Sequence, residues 1–319
     1  MYIIDGHCDT LCDVADGLRD LRTRSNKGHL DLERLRIAGV KGQIFALYTD
    51  DNYITDGALP RTLKLISAFL KELDKSDQMV HVKCPGDAAK AYELNKIACF
   101  LSIEGGEALN GDLDILRVFY EIGVRLMGIT WNRKNQLASG VGDGVLDEGL
   151  TPFGKTVIAE MNRLGMVIDI SHISEKGFWD IIDITESPII ASHSNSRKLA
   201  DHPRNLTDEQ AKIIADNGGV IGVTLVKPFL GNSRGNIRGV VEHIDHFVNL
   251  LGDDHVSIGC DFDGISDELL PDGIKDVTDI KKIVEELVSM GYEDSSIEKI
   301  MGLNLLRVIE EVMSKGVLI

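Results

Sequence analysis

His7 and Asp9 stand two residues apart at the end of the apolar run 2–5, and in an extended strand that spacing turns an imidazole and a carboxylate to one side. That is a metal-ligand pair. One such pair is a weak signal, but four later apolar runs end in the same way: 98–103 in Glu104, 167–171 in His172, 188–192 in His193 and 256–260 in Asp261. Imidazole and carboxylate without thiolate suit Zn²⁺, and Mn²⁺, Co²⁺ or Fe²⁺ fit the same ligand types. Two cations close together repel unless an anion lies between them. Glu104 is the carboxylate placed to bridge, with His7 and Asp9 on one metal and His172 and His193 on the other.

The elements that must position these groups recur along the chain. Eight short apolar runs, at 2–5, 42–48, 98–103, 124–130, 167–171, 188–192, 219–225 and 256–260, alternate with amphipathic stretches. The stretches at 30–38, 61–73, 85–95, 112–122, 152–164, 174–182, 207–216, 239–251, 277–290 and 296–313 read as helices, the 152–164 helix with Thr151 as N-cap and Pro152 in its first turn. Eight β-to-α units predict a closed parallel (β/α)₈ TIM barrel, which collects the C-terminal ends of its strands around one mouth. A doubly wound open sheet is the competitor, and the first run is followed by neither GxGxxG nor a P-loop.

The 319 residues, 43% hydrophobic and 27% charged, contain no linker or low-complexity tract, so the whole of 1–319 is expected to be one barrel domain. Lys and Arg number 34 against 51 Asp and Glu, and a net charge of −17 argues against a nucleic-acid or anionic-membrane partner. Five cysteines, an odd number without a CxxC pair, argue against a disulfide framework and for reduced thiols. Cys8 and Cys260 are expected to point to the other side of their strands from the cluster. No apolar run reaches the ~20 residues of a membrane span, and no signal-peptide pattern opens the chain, so the expectation is a cytoplasmic protein. A homodimer is compatible with this reading.

The motifs His7-Cys-Asp9, Ser102-Ile-Glu-Gly-Gly106, Gly149-Leu-Thr-Pro-Phe-Gly154, Asp169-Ile-Ser-His172, Ala191-Ser-His193-Ser194, Pro203-Arg-Asn205 and Gly259-Cys-Asp-Phe-Asp-Gly264, in this order, resemble the membrane dipeptidase (renal dipeptidase) family, peptidase family M19. The similarity runs from Ile4 to Asn304-Leu-Leu-Arg-Val-Ile309. It implies a (β/α)₈ fold, two zinc ions held by the ligands assigned above, and hydrolysis of dipeptides, often with a D-residue at the C-terminal position. It also implies attack by a metal-bridging hydroxide, with Asp261 taking the proton from the water and passing it to the leaving amine. Asp263 is the weaker candidate for that task. Arg204 matches the family's arginine that binds the substrate's terminal carboxylate, and Tyr48 could line the pocket. His29, His81, His202, His243, His246 and His255 are left as structural or surface residues.

One departure stands out. Where vertebrate members of the family carry a histidine after the fourth strand, in a Leu-Thr-His pattern, this chain reads Ile129-Thr-Trp-Asn132. Asn132 or the indole N–H of Trp131 is expected to supply, as a neutral donor, what that histidine gives elsewhere. Two other readings stay open: a metal-dependent amidohydrolase acting on a small cyclic amide or ester, and a catalytically silent metal-binding homologue.

Overall fold

A computed structural model describes residues 1–53, 57–231 and 235–316. Nine parallel strands form its sheet: β1 (Ile3–Cys8), β2 (Val40–Tyr48), β3 (Met79–His81), β4 (Ile97–Glu104), β5 (Val124–Gly128), β6 (Val167–Asp169), β7 (Ile190–Ala191), β8 (Val220–Val223) and β9 (Val256–Ile258). Eight of them follow one another in the order β1-β2-β4-β5-β6-β7-β8-β9, and a bridge between Cys8 and Phe262 joins the last loop to the first strand. This is the (β/α)₈ barrel that the alternating runs predict. The ninth, β3, lies off the ring and pairs with the start of β4. It was not foreseen, because three residues between two helices are too few to show a period.

The core has two layers. Ile4, Ile44, Phe100, Leu126, Val167, Ile190 and Val220 form one cluster with Leu305, Val308, Ile309 and Val312 of the last helix, Asn304–Lys315. That helix therefore stops the end of the barrel away from the strands' C-terminal ends. A larger cluster, which includes Cys8 and Cys260, fills the space between strands and outer helices, so both thiols turn away from the metal-ligand side as expected.

Several strands are shorter than their apolar runs. Past Asp169, the carboxylate Oδ1 accepts from the N–H groups of Ser171 (3.0 Å) and Ser192 (2.9 Å), taking the place of ladder bonds between β6 and β7. Asn195 does the same toward β8, pairing both its amide groups with the backbone of Thr224 (3.0 and 3.2 Å), and Asp5 Oδ1 accepts from Cys260 N at 2.7 Å. Hydrophobic pattern marks where a strand can be buried, not where side chains replace its hydrogen bonds. Thr151 caps the Pro152–Leu164 helix through Gly154 N, as its sequence predicts. The expected 296–313 helix is instead broken at Gly302, where a Cβ would lie 2.5 Å from Ile4 N.

Candidate active site

All five predicted metal ligands meet at the C-terminal mouth. His7 lies within β1 rather than beyond it, where the register against β2 shifts between Asp5 and Cys8, and Asp9 follows directly. His7 Nε2 is 3.4 Å from Asp9 Oδ2 and 3.3 Å from Glu104 Oε2. The other oxygen of Glu104, Oε1, is 3.2 Å from His172 Nε2 and 3.8 Å from His193 Nε2. Asp261 Oδ1 lies 3.9 Å from His7 Nε2. Glu104 thus divides its two oxygens between a His7 side and a His172–His193 side.

The histidines are held from behind. His193 Nδ1 lies 2.7 Å from Ser192 Oγ, whose own proton goes to Asp169 Oδ2 at 2.5 Å. Ser192 can then only accept from Nδ1–H, which leaves the lone pair on Nε2. His172 Nδ1 lies 2.8 Å from the amide oxygen of Asn132, with the same result. The two Nε2 atoms face each other at 2.8 Å. Two lone pairs at that separation repel unless a cation sits against both. Both ring nitrogens of His7 and Asp9 Oδ1 are likewise buried without a hydrogen-bond partner. The donor set fits metal ions at this place: His7 and Asp9 on one side, His172 and His193 on the other, and Glu104 between.

The electrostatics agree. Burial pushes the Glu104 carboxyl up to about 7 and that of Asp261 up to about 6. Burial opposes a proton on His7, but the carboxylates of Glu104 and Asp9 outweigh it and hold this imidazole well above its ordinary range. His172 and His193 are held well below it, by burial first and then by neighbouring positive charge. A metal-free site therefore collects protons where cations are called for. His172, Asp261 and Asp263 also adopt left-handed backbone (φ 68°, 64° and 66°), the kind of local strain that clusters at functional sites.

Above the cluster opens a cavity of about 610 Å³. Arg204, 7% exposed, lines it; its side chain donates to His193 O at 3.1 Å, while its Nε has no partner among the described residues. Burial lowers its guanidinium to about 10, still charged at neutral pH. It is no surface arginine. Tyr48 and Trp131 form an aromatic wall, ring centroids 5.4 Å apart, and Trp131 continues to His172 at 6.0 Å. His202, expected to be structural or on the surface, also lines the cavity, its ring 4.4 Å from Phe229 and its Nδ1 accepting from Arg204 N. The remaining histidines are engaged elsewhere, for example His81 with Gly123 O and His255 with Gly219 O.

Asp263 takes a different part. Its carboxylate accepts from Thr10 Oγ1, Arg19 NH2 and His29 N, all at 2.5 Å, so both of its oxygens are engaged in holding loops together. It ties the loop after β9 to the residue that follows Asp9. Asp169 and Ser192 were missed as orienting groups. The signal was present: a carboxylate inside the run Val167-Ile-Asp-Ile170 must have a polar partner to be buried there.

The sequence profile of the membrane dipeptidase family, peptidase family M19, matches residues 1–316. An uncharacterised dipeptidase of Schizosaccharomyces pombe is 34% identical over 300 residues, covering 88% of this chain and 71% of that protein. Among solved structures, the dipeptidase AC of family M19 superimposes with a TM-score of 0.92 at 28% identity, covering 98% of this chain and 99% of that one. A metallopeptidase from Rhodobacter sphaeroides, solved with a phosphinate mimic of the dipeptide L-Ala-D-Ala, gives 0.91 at 27% identity with the same coverage. With this profile over nearly its full length and this geometry at its mouth, the chain belongs to the membrane dipeptidase family, a metallo-dipeptidase that acts on peptide bonds.

Proposed function

We propose that this protein hydrolyses dipeptides with two metal ions, zinc in the first instance, held by His7 and Asp9, by His172 and His193, and by Glu104 between them. The observation that carries this reading is the division of Glu104, one oxygen 3.3 Å from His7 and the other 3.2 Å from His172. When bound, such a metal pair polarises a carbonyl oxygen and brings the pKa of a coordinated water toward neutrality.

The chain's own residues do the rest. Arg204 offers a buried, charged fork to the free carboxylate of the substrate, which selects dipeptides over longer chains and over neutral amides. Asp261, its affinity for protons raised by burial, takes a proton from the attacking water and returns it to the departing amine. The Trp131 indole N–H or the Asn132 amide N–H, beside His172 on the cavity wall, supplies a neutral donor to the developing oxyanion. Tyr48 packs on Trp131 and bounds the pocket. A D-residue at the C-terminal position is among the substrates to be tried, because the related Rhodobacter sphaeroides structure holds an L-Ala-D-Ala mimic.

The test is elemental analysis of zinc-reconstituted protein beside dipeptide hydrolysis with and without chelator. Two metals per chain and chelator-reversible activity are expected. In Glu104→Gln both sites should weaken, since a neutral amide cannot offset the repulsion between two cations. One metal per chain, unchanged in Glu104→Gln, contradicts the bridged pair.

A further inference from the structure

Around the mouth the ring order places the loop after β7, which carries Arg204, four strands from β2, which carries Tyr48, and so directly across the barrel. A dipeptide that rests its terminal carboxylate on Arg204 and its scissile carbonyl at Glu104 must lay its N-terminal residue toward β2. There charge stands beside the Tyr48 ring: Asp50, and Arg61 paired with Asp16 at 2.6 and 3.0 Å. The loops next to Arg204 on the β8 and β9 side are of the opposite character. Val226, Pro228 and Phe229 follow β8, and Ile265 and Leu269 follow β9, all lining the same cavity. Phe229 belongs to Arg204's own surroundings, its ring centroid 5.7 Å from the guanidinium carbon.

We infer that this arc is the subsite for the side chain of the C-terminal residue, and that the enzyme prefers dipeptides ending in an apolar residue such as Leu or Phe. The inference rests on the dipeptidase reading above. A carboxylate or ammonium side chain at that position would lose its water against five apolar groups; of the described acidic residues on that side of the cavity, Asp261 is taken up by the reaction and Asp263 by Thr10, Arg19 and His29, whereas an apolar side chain gains from burial. Selectivity belongs to the arc and anchoring to Arg204.

The experiment measures kcat/KM on zinc-loaded protein for Ala-Leu, Ala-Phe, Ala-Gly, Ala-Asp and Ala-Lys, with both L- and D-forms of the second residue. In the stereochemical series cleaved faster, Leu and Phe should exceed Asp and Lys by roughly 10- to 200-fold. Leu269→Asp, at a residue 38% exposed and therefore unlike Phe229 in having little packing to lose, should cut the Leu-to-Gly ratio about tenfold. Phe229→Ala should lower the same ratio. Equal rates for Leu and Asp, or a preference that survives both variants, overturn the inference. Failure to cleave any of these dipeptides would instead bring down the dipeptidase reading itself.

Discussion

Asn132 and Trp131 share a wall of the cavity but hold different positions in it. The amide oxygen of Asn132 is committed to His172 Nδ1, so this side chain sets which imidazole nitrogen faces the metal ions. Trp131 has its ring between Tyr48 and His172. Their variants should therefore separate. Asn132→Ala is expected to lower metal affinity on the His172–His193 side by roughly 10- to 100-fold, read by chelator competition. Trp131→Phe keeps a ring but removes the N–H; metal content should stay at the parent value while kcat falls by about 10²-fold with KM little changed. If Trp131→Phe retains full kcat, the indole is packing and the oxyanion donor must be sought elsewhere.

At the scale of elements, the loop after β9 is fixed to the loop after β1 by Asp263, and this sets the distance between Asp9 and Asp261. A methyl group on Gly264 would collide with both Asp9 Oδ2 and Asp261 Oδ1, so the two loops meet with no room to spare. Asp263→Asn leaves the buried Arg19 with Asp13 as its remaining carboxylate partner. Weakening charge-assisted bonds of this kind costs on the order of 1.5–3 kcal/mol, measurable by denaturant unfolding of the metal-free protein. Thr10→Val, which removes only the hydroxyl contact, should cost less, about 1 kcal/mol. This loop junction was not legible in the sequence. His7, Asp9, Glu104, His172 and His193 could be found because a strand's end and a ligand type are both local facts. The partners of Asp263 are local to nothing: Arg19 lies 244 residues away and His29 lies 234 away. Asp169 showed that a partner was needed but not which one, since its hydroxyl partner Ser192 lies just past the next strand. The barrel itself was readable from eight repeats, while the three-residue β3 and the stop formed by the last helix depend on packing that no single window contains.

For the whole molecule, the burial of Glu104 and Asp261 makes protons and metal ions competitors for one cavity. Ligands must be deprotonated to bind; in the metal-free chain burial holds Glu104 at about 7 and its carboxylate neighbours hold His7 well above its ordinary range, so protons already compete at neutral pH and compete harder below it. The rise in Tm on adding zinc should be large at pH 7.5 and shrink steadily to pH 5.5, by differential scanning fluorimetry at fixed free metal. A metal-induced rise that does not vary across this range would mean that other groups bind the ions. The helix that stops the floor of the barrel, Asn304–Lys315, carries a further consequence for how the protein is made. It packs against Ile4 and its neighbours, and the loop after β9 completes the mouth beside His7. A chain growing on the ribosome therefore leaves part of β1 uncovered until β9 and the Asn304–Lys315 helix emerge. The candidate ligands are all made by His193, but the mouth around them closes only then, so the first strand is a segment that a chaperone would have to shield for long.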